Sequence, residues 1–355
     1  MTNPPNRSNF ILQAAADLFP GYFALVMATG IISIACYLLE MRPLAIVLLV
    51  VNIVAYVLLW LLLLVRLFLF FARLKDDFNN HVRGPGFFTI VAGTSVLGSE
   101  LLIVANQFRI ASLLWLIGLI LWAIIMYSFF TAMTVREDKP SIEGGLNGAW
   151  LLAVVATQSV SVLGTLLVDH FPGYREPVLF FTLCMFLLGS MLYIPLITLI
   201  FYRFTFVNLT TTSLTPPYWI NMGAVAITTL AGARLIIAAP EWNVLNDLMP
   251  FLKGFTLFFW AAGTWWIPLL LILGFWRHVY KRFPLRYDPQ YWGMVFPFGM
   301  YTVCTIQLSR AINFAPLLVI PRYFIYLALA GWLVVSLGLI YSLLFKNRGA
   351  IGTME

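Results

Sequence analysis

Apolar positions along this chain fall into ten long runs, at approximately 18–39, 44–72, 86–104, 109–135, 146–168, 176–202, 217–239, 248–276, 289–309 and 320–345. About 20 apolar residues in a helix span the hydrocarbon of a bilayer, so each run predicts one crossing. The runs alternate in texture. Odd-numbered runs are rich in Gly, Ala, Ser and Thr, as in ALVMATGIISIA and FTIVAGTSVLGSE. Even-numbered runs are rich in Leu, Phe and Trp, as in VLLWLLLLVRLFLFF. Aromatics mark the start of each odd run at Phe23, Phe88, Trp150, Trp219 and Trp292, at intervals of 65, 62, 69 and 73 residues. That interval is the length of two crossings with their turns.

The pattern predicts an all-α membrane protein. Its ten transmembrane helices form five helical hairpins in a quasi-fivefold ring around a central pore, odd helices inside and even helices toward lipid. Small residues also serve close packing without any channel. The regular repeat favours the ring, because ordinary packing needs no fivefold repetition. A short N-terminal segment (1–17) and a short tail (346–355) flank one membrane domain (18–345). Pro195 and Pro268, in matching Tyr-Ile-Pro-Leu and Trp-Ile-Pro-Leu contexts, are expected to bend the sixth and eighth helices.

Composition narrows the class. The chain is 62% hydrophobic and 10% charged, with mean hydropathy +0.93, whereas soluble domains carry about 25% charge. A membrane barrel would show alternating segments of about 10 residues rather than unbroken runs. The polar start MTNPPNRSNF lacks the apolar core of a signal peptide. Cys36, Cys184 and Cys304 fall inside apolar runs and read as free packed thiols, while His81, His170 and His278 show no ligand spacing. No catalytic constellation, metal site or cofactor is expected.

The net charge of +7 reflects topology rather than nucleic-acid binding. With the N-terminus cytoplasmic, inner segments hold thirteen Lys and Arg and outer ones six, which predicts both termini inside. The run RHVYKRFPLR before the ninth helix is the largest contribution and reads as an anchor, with a lipid-headgroup contact as the alternative.

Charges are scarce at membrane depth. Glu100, Arg234 and Arg310 lie toward the outer ends of odd helices and would form a net-positive outer vestibule that concentrates anions. A snorkelling or structural Arg–Glu role is the alternative. Thr29, Ser33, Thr94, Ser95, Thr157, Ser161, Thr228, Thr229 and Thr302 are pore-lining candidates, since hydroxyls hydrate an anion weakly enough to let it pass. In the ninth helix Phe296 directly precedes Pro297. A ring projecting at such a break would act as a hydrophobic gate. An ordinary core role for Phe296, or occlusion by Phe298 instead, stays open on the residues alone.

FPGYFALVMATGIISIA at 19–35 and WGMVFPFGMYTVCT at 292–305 resemble the first and ninth spans of the tellurite-resistance/dicarboxylate transporter family. That family includes bacterial TehA-type proteins, plant slow anion channels, fungal malate carriers and sulfite efflux pumps, and the resemblance covers essentially the whole chain. It implies five hairpins in a ring, a homotrimer with one pore per subunit, and a gating phenylalanine in the WxxxFP context, here Phe296. The long cytoplasmic tails of the plant channels are missing from this sequence.

The expected function is an anion channel passing small anions through a central pore gated by Phe296 and Pro297. A secondary transporter for a C4-dicarboxylate, tellurite or sulfite is the alternative, with Arg234 and Arg310 as its two cationic contacts. A non-transporting scaffold or sensor is the third reading. Expected partners are small inorganic anions or carboxylates, membrane lipid and two further copies of the chain, with no nucleic acid. The expected location is the cell membrane, multi-pass, and the inner membrane if the source is bacterial.

Overall fold

The computed structural model describes residues 7–345, all helical or loop. Residues 1–6 and the expected tail 346–355, with Lys346 and Arg348 of the charge tally, lie outside the described residues. After the helix Arg7–Ala16 come ten long helices. They are α1 (Ala24–Leu38), α2 (Arg42–Leu69), α3 (Phe88–Ala105), α4 (Phe108–Val135), α5 (Leu152–Leu167), α6 (Arg175–Phe206), α7 (Ile220–Ala238), α8 (Met249–Phe275), α9 (Trp292–Ala311) and α10 (Val319–Phe345).

Nine helical segments among the described residues are long and apolar enough to cross a membrane by length and composition. The chain is therefore an all-α, multi-pass membrane protein. The expected ninth run forms α9, 20 residues long, yet it stands outside those nine. Gln307, Ser309 and Arg310 in its last turns lower its hydropathy, and its neighbours rather than lipid cover it.

Two populations separate by burial. In an 18-residue apolar stretch of each segment containing α1, α3, α5 and α7, 83–94% of positions are buried, against 11–44% in such stretches of those containing α2, α4, α6, α8 and α10. In α9 only Met294 and Arg310 escape full burial. Each odd helix packs along the even helix that follows it. The odd helices also touch in sequence, α1 with α3, α3 with α5, α5 with α7 and α7 with α9, and α9 returns to α1.

A single local device starts every odd helix. A 3-10 turn precedes each, at Pro20–Phe23, Gly84–Phe87, Gly148–Leu151, Pro216–Trp219 and Pro289–Tyr291. Proline suits a first helical position, where its missing N–H would lack a partner anyway. The five turns contact one another in the same cyclic order as the helices. At Gly148 the approach is so close that a Cβ would lie 2.3 Å from the Pro217 carbonyl oxygen, so only glycine fits.

The prolines Pro195 and Pro268 lie within α6 and α8, which continue past them. Cys36 and Cys304 are buried, but Cys184 is exposed on α6, so the expected packing of all three thiols holds for two.

Candidate functional site

Two cavities lie among the odd helices. The first, at their N-terminal ends, has a volume of about 430 Å³. The second, toward their C-terminal ends, has a volume of about 30 Å³. All five odd helices contribute to each. The first is lined by Ala24, Thr89, Leu152, Ile220 and Gly293, among others. The second is lined by Ile31, Val96, Ser159, Ile227 and Met300, again among others. Each residue of the second set stands seven positions after its counterpart in the first. Seven residues are two helical turns, about 10.5 Å along the axis.

This spacing fixes a register among the five helices. By it, Leu151 rather than the expected Trp150 is equivalent to Phe23, Phe88, Trp219 and Trp292. The Trp150 indole instead donates to the carbonyls of His81 and Gly145, both at 3.0 Å.

On α9 the lining residues are Gly293, Met300, Val303 and Gln307. Phe296 stands three residues after Gly293 and four before Met300, on the same helical stripe. It is fully buried, and its Cδ1 is 3.6 Å from the Cβ position of Gly223 on α7. Three positions past the first lining level the other helices carry Met27, Ala92, Val155 and Gly223. Phe296 is thus the only aromatic among these five positions. Phe298 faces elsewhere: its ring packs edge-on against Trp219 at 5.0 Å and Phe324 of α10 at 6.1 Å.

None of the nine candidate hydroxyl residues is among the lining residues of either cavity. Thr29 accepts from the Trp332 indole at 2.9 Å, and Thr157 from the Trp122 indole at 2.9 Å. Thr94 meets the Tyr56 hydroxyl at 3.0 Å. Ser33 donates to the Ala45 carbonyl and Ser161 to the Thr182 carbonyl. Ser95 faces Gly118 of α4, its Oγ 2.9 Å from the Cβ position there. Thr228, Thr229 and Thr302 donate to carbonyls of their own helices. Apart from Ser95, whose hydroxyl is buried without a partner, these hydroxyls tie the odd helices to the outer layer or to themselves, as buried hydroxyls do when no water reaches them. The residues that the odd helices turn to the second cavity are mostly aliphatic.

The three expected vestibule charges part company. Arg234 lines the second cavity with Ser99 and Gln307. Arg310 is exposed at the end of α9. Glu100 is fully buried and turns toward α2, where the Asn52 amide donates to its Oε2 at 2.6 Å. Gly30 makes room for this pair: a Cβ there would lie 2.7 Å from Asn52 Nδ2 and 3.1 Å from Glu100 Oε2.

At the first cavity, Asp17, Arg83 and Asp288 supply the charge. Arg83 pairs with Asp77 at 2.6 Å, and Asp77 also holds the buried Arg66 at 2.7 Å. Asp17 pairs with Arg73 at 2.9 Å, and Asp288 caps the Pro289–Tyr291 turn. Beside this mouth, burial raises the Tyr287 phenol above its ordinary range. Tyr287 therefore stays neutral between Tyr22 and the Trp292 indole, which donates to its hydroxyl.

Sequence reasoning missed Gln307, Ser99 and Met300 as lining residues. The seven-residue spacing from Gly293 to Met300 becomes informative only after the five helices are aligned to each other.

Comparison with known proteins finds similarity to membrane proteins and transporters. The chain is 38% identical over 154 residues to an uncharacterized membrane protein of Mycobacterium tuberculosis, covering 43% of this chain and 77% of that one. It is 22% identical over 314 residues to an uncharacterized transporter of Methanocaldococcus jannaschii, covering 86% and 87%. It is 22% identical over 355 residues to a sulfite efflux pump of Trichophyton rubrum, covering 91% and 90%. Residues 17–340 match the voltage-dependent anion channel family. The match takes in both cavities and every long helix except the last residues of α10, and the chain belongs to the voltage-dependent anion channel family as a membrane transport protein, not an enzyme.

Proposed function

We propose that the protein is a secondary transporter that moves small anions or carboxylates along the axis of the five odd helices. Five hairpins then form a quasi-fivefold ring, and the pathway is the axis they enclose. One observation carries this reading: both cavities are lined by all five odd helices, and Phe296 stands on the shared stripe between them. Phe296 is the barrier in this reading, directly before Pro297 inside the continuous helix α9.

An oxyanion of the sulfite type is the favoured substrate. The sulfite efflux pumps align with 91% of the chain, and the archaeal relatives matching 82–86% of it are named as transporters. C4-dicarboxylate and tellurite stay within the proposal as other small anions. An anion channel gated by Phe296 is the second reading. It is favoured by the family's description and by a stripe in which a single aromatic separates the two cavities.

The transport unit is the membrane domain 18–345. Both termini are assigned to the cytoplasm from the Lys and Arg distribution, and the location is the cell membrane, the inner one if the source is bacterial. The homotrimer implied by the family resemblance is part of the proposal, and its mass in detergent tests it.

Proteoliposomes loaded with sulfite, nitrate, chloride or malate test the function. Saturable flux with exchange supports the transporter, and unsaturated electrogenic flux supports the channel. No flux of any of these anions, from wild type and Phe296→Ala alike, overturns both.

A further inference from the structure

Three buried arginines stand at the ends of even helices: Arg66 of α2, Arg203 of α6 and Arg277, in the π turn Trp276–Tyr280 that continues α8. They are 2%, 6% and 8% exposed, and a buried guanidinium is costly unless acceptors meet it. The first two find theirs in equivalent places. Arg66 donates to the Leu18 carbonyl at 2.6 Å, and Arg203 donates to the Leu146 carbonyl. Each acceptor lies two residues before the 3-10 turn that opens its own hairpin. The corresponding carbonyl for Arg277 is that of Leu214, two residues before Pro216. Leu214 and Arg277 instead line one cavity, with no hydrogen bond between them. Arg203 stands eight residues after Pro195, but Arg277 stands nine after Pro268, and a π turn accommodates an extra residue.

Among the described residues the Arg277 guanidinium donates to no acceptor and has no carboxylate within 4.0 Å. The Phe283 ring covers it at 4.3 Å. The Thr215 hydroxyl is also buried without a partner. Both residues border two cavities that meet at them. The inner cavity, about 220 Å³, has an apolar wall of Leu270, Leu273 and Gly274 of α8 and Met294 of α9. A Cβ at Gly274 would meet nothing within 4 Å. Leu271 and Phe275 beside it are exposed, so this cavity borders the lipid-facing surface. The outer cavity, about 440 Å³, adds Thr212, Arg286, Asp288 and Gln290. Asp288 accepts from the Gln290 N–H at 2.8 Å. Arg277 and Arg286 against Asp288 leave one positive charge in excess.

We propose that the two cavities form one binding site for an anionic phospholipid. The Arg277 fork and the Thr215 hydroxyl hold its phosphate, and an acyl chain lies along α8 past Gly274. Both orphaned groups are donors, so anionic oxygens satisfy both. One excess positive charge matches one phosphodiester. The apolar inner cavity offers nothing to a free phosphate and gains from a hydrocarbon chain. This end of α8 lies on the side assigned to the cytoplasm, where basic pockets between helices meet anionic headgroups. The run RHVYKRFPLR thereby gains a ligand in place of a general anchoring role. The site lies outside the transport pathway proposed above and does not depend on it.

Thermal unfolding of the purified full chain in detergent, at constant ionic strength, tests the site. Phosphatidylglycerol, phosphatidylcholine and inorganic phosphate are titrated in turn. The expected result is saturable protection of wild type by phosphatidylglycerol and little by the other two. Arg277→Gln is expected to lower the apparent phosphatidylglycerol affinity about tenfold or more, the effect of losing a hydrogen bond to a charged group. Without lipid it should unfold no lower than wild type, whereas Arg203→Gln should unfold lower. Gly274→Leu fills the inner cavity, leaves Arg277 in place and is expected to lower the affinity about tenfold. It covers the case in which Arg277→Gln does not fold. Lys281→Gln, exposed and on neither cavity wall, is expected to bind as wild type does.

Equal protection by phosphatidylglycerol and phosphatidylcholine overturns the site. So does an affinity unchanged in both Arg277→Gln and Gly274→Leu, or a loss in Lys281→Gln as large as in Arg277→Gln. A lipid-free loss of stability in Arg277→Gln matching that of Arg203→Gln makes Arg277 a structural residue and overturns it too. Saturable protection by inorganic phosphate that needs Arg277 and survives Gly274→Leu makes the ligand a free anion and overturns the lipid.

Discussion

The indole Nε1 of Trp332, on α10, donates to Oγ1 of Thr29, on α1, at 2.9 Å across 303 positions of sequence. This bond ties the last long helix to the first. Equivalent bonds recur between Tyr56 and Thr94 and between Trp122 and Thr157. In the latter two the threonine donates to its own helix, to Ile90 and Ala153, and so accepts from the outer ring. The repeat is a set of clamps between the two layers. Thr29→Val is expected to lower stability by about 0.6 kcal/mol, and by no more than about 1.7 kcal/mol. Because Thr29 lies off the cavity walls, anion preference in liposomes should not change. A shift in preference with unchanged unfolding temperature would return Thr29 to the pathway.

Phe296 and Phe298 differ in what surrounds them, and their alanine variants should differ in kind. Phe296→Ala is expected to raise initial anion flux about tenfold or more, the effect of removing about 1.4 kcal/mol from a barrier. Phe298→Ala removes a ring packed between Trp219 and Phe324. It is expected to lower stability by about 3 kcal/mol or more with little gain in flux. Flux and thermal unfolding measured on both variants decide the matter, and a rise confined to Phe298→Ala would exchange the roles.

The Glu100 carboxylate takes a short hydrogen bond, 2.6 Å, from the Asn52 amide. Asn52→Leu leaves it buried without that hydrogen bond and is expected to cost about 1–3 kcal/mol. Glu100→Gln removes the charge and keeps the shape, so its cost should be smaller. Adding Glu100→Gln to Asn52→Leu should recover part of the lost stability. Strictly additive effects in this double-mutant cycle would refute the coupling.

Asp77 bridges two arginines, one buried and one at the mouth of the larger cavity. In Asp77→Ala, Arg66 keeps only its backbone acceptors, the carbonyls of Leu18 and Arg73. The expected cost is about 3 kcal/mol, most of it from the buried Arg66, with a smaller share from the half-exposed Arg83. A shift in unfolding temperature no larger than that of Arg83→Ala would show that Arg66 is satisfied without the carboxylate.

Burial, and after it the cations Arg136 and Lys139, hold the His81 imidazole below its ordinary value of 6.5. The unfolded chain then takes up a proton on acidification before the folded chain does. His81 therefore adds pH dependence of one sign: stability falls as pH drops below 6.5 and levels off below the folded value. His81→Gln is expected to flatten unfolding temperature against pH across that window. An unchanged slope would assign the dependence to another group.

The sequence by itself determined the layers. Run length set the crossings, and the contrast between FTIVAGTSVLGSE and VLLWLLLLVRLFLFF separated the buried helices from the exposed ones, since lipid accepts bulky apolar side chains and close helix packing needs small ones. It also brought Phe296 forward, through its place before Pro297. Only the tertiary structure decided which face of each odd helix looks inward. A helix buried on all sides carries no amphipathic signal, so the hydroxyls of Thr29, Thr94 and Thr157 suit the axis and the outer layer equally well in one dimension. Trp332, Trp122 and Tyr56 settle it, because an indole or phenol at membrane depth needs a partner and no water is there to serve. The same reason separates Arg234 from Glu100 and Arg310: rotation of each helix about its own axis sends one to the cavity, one to Asn52 and one to the surface.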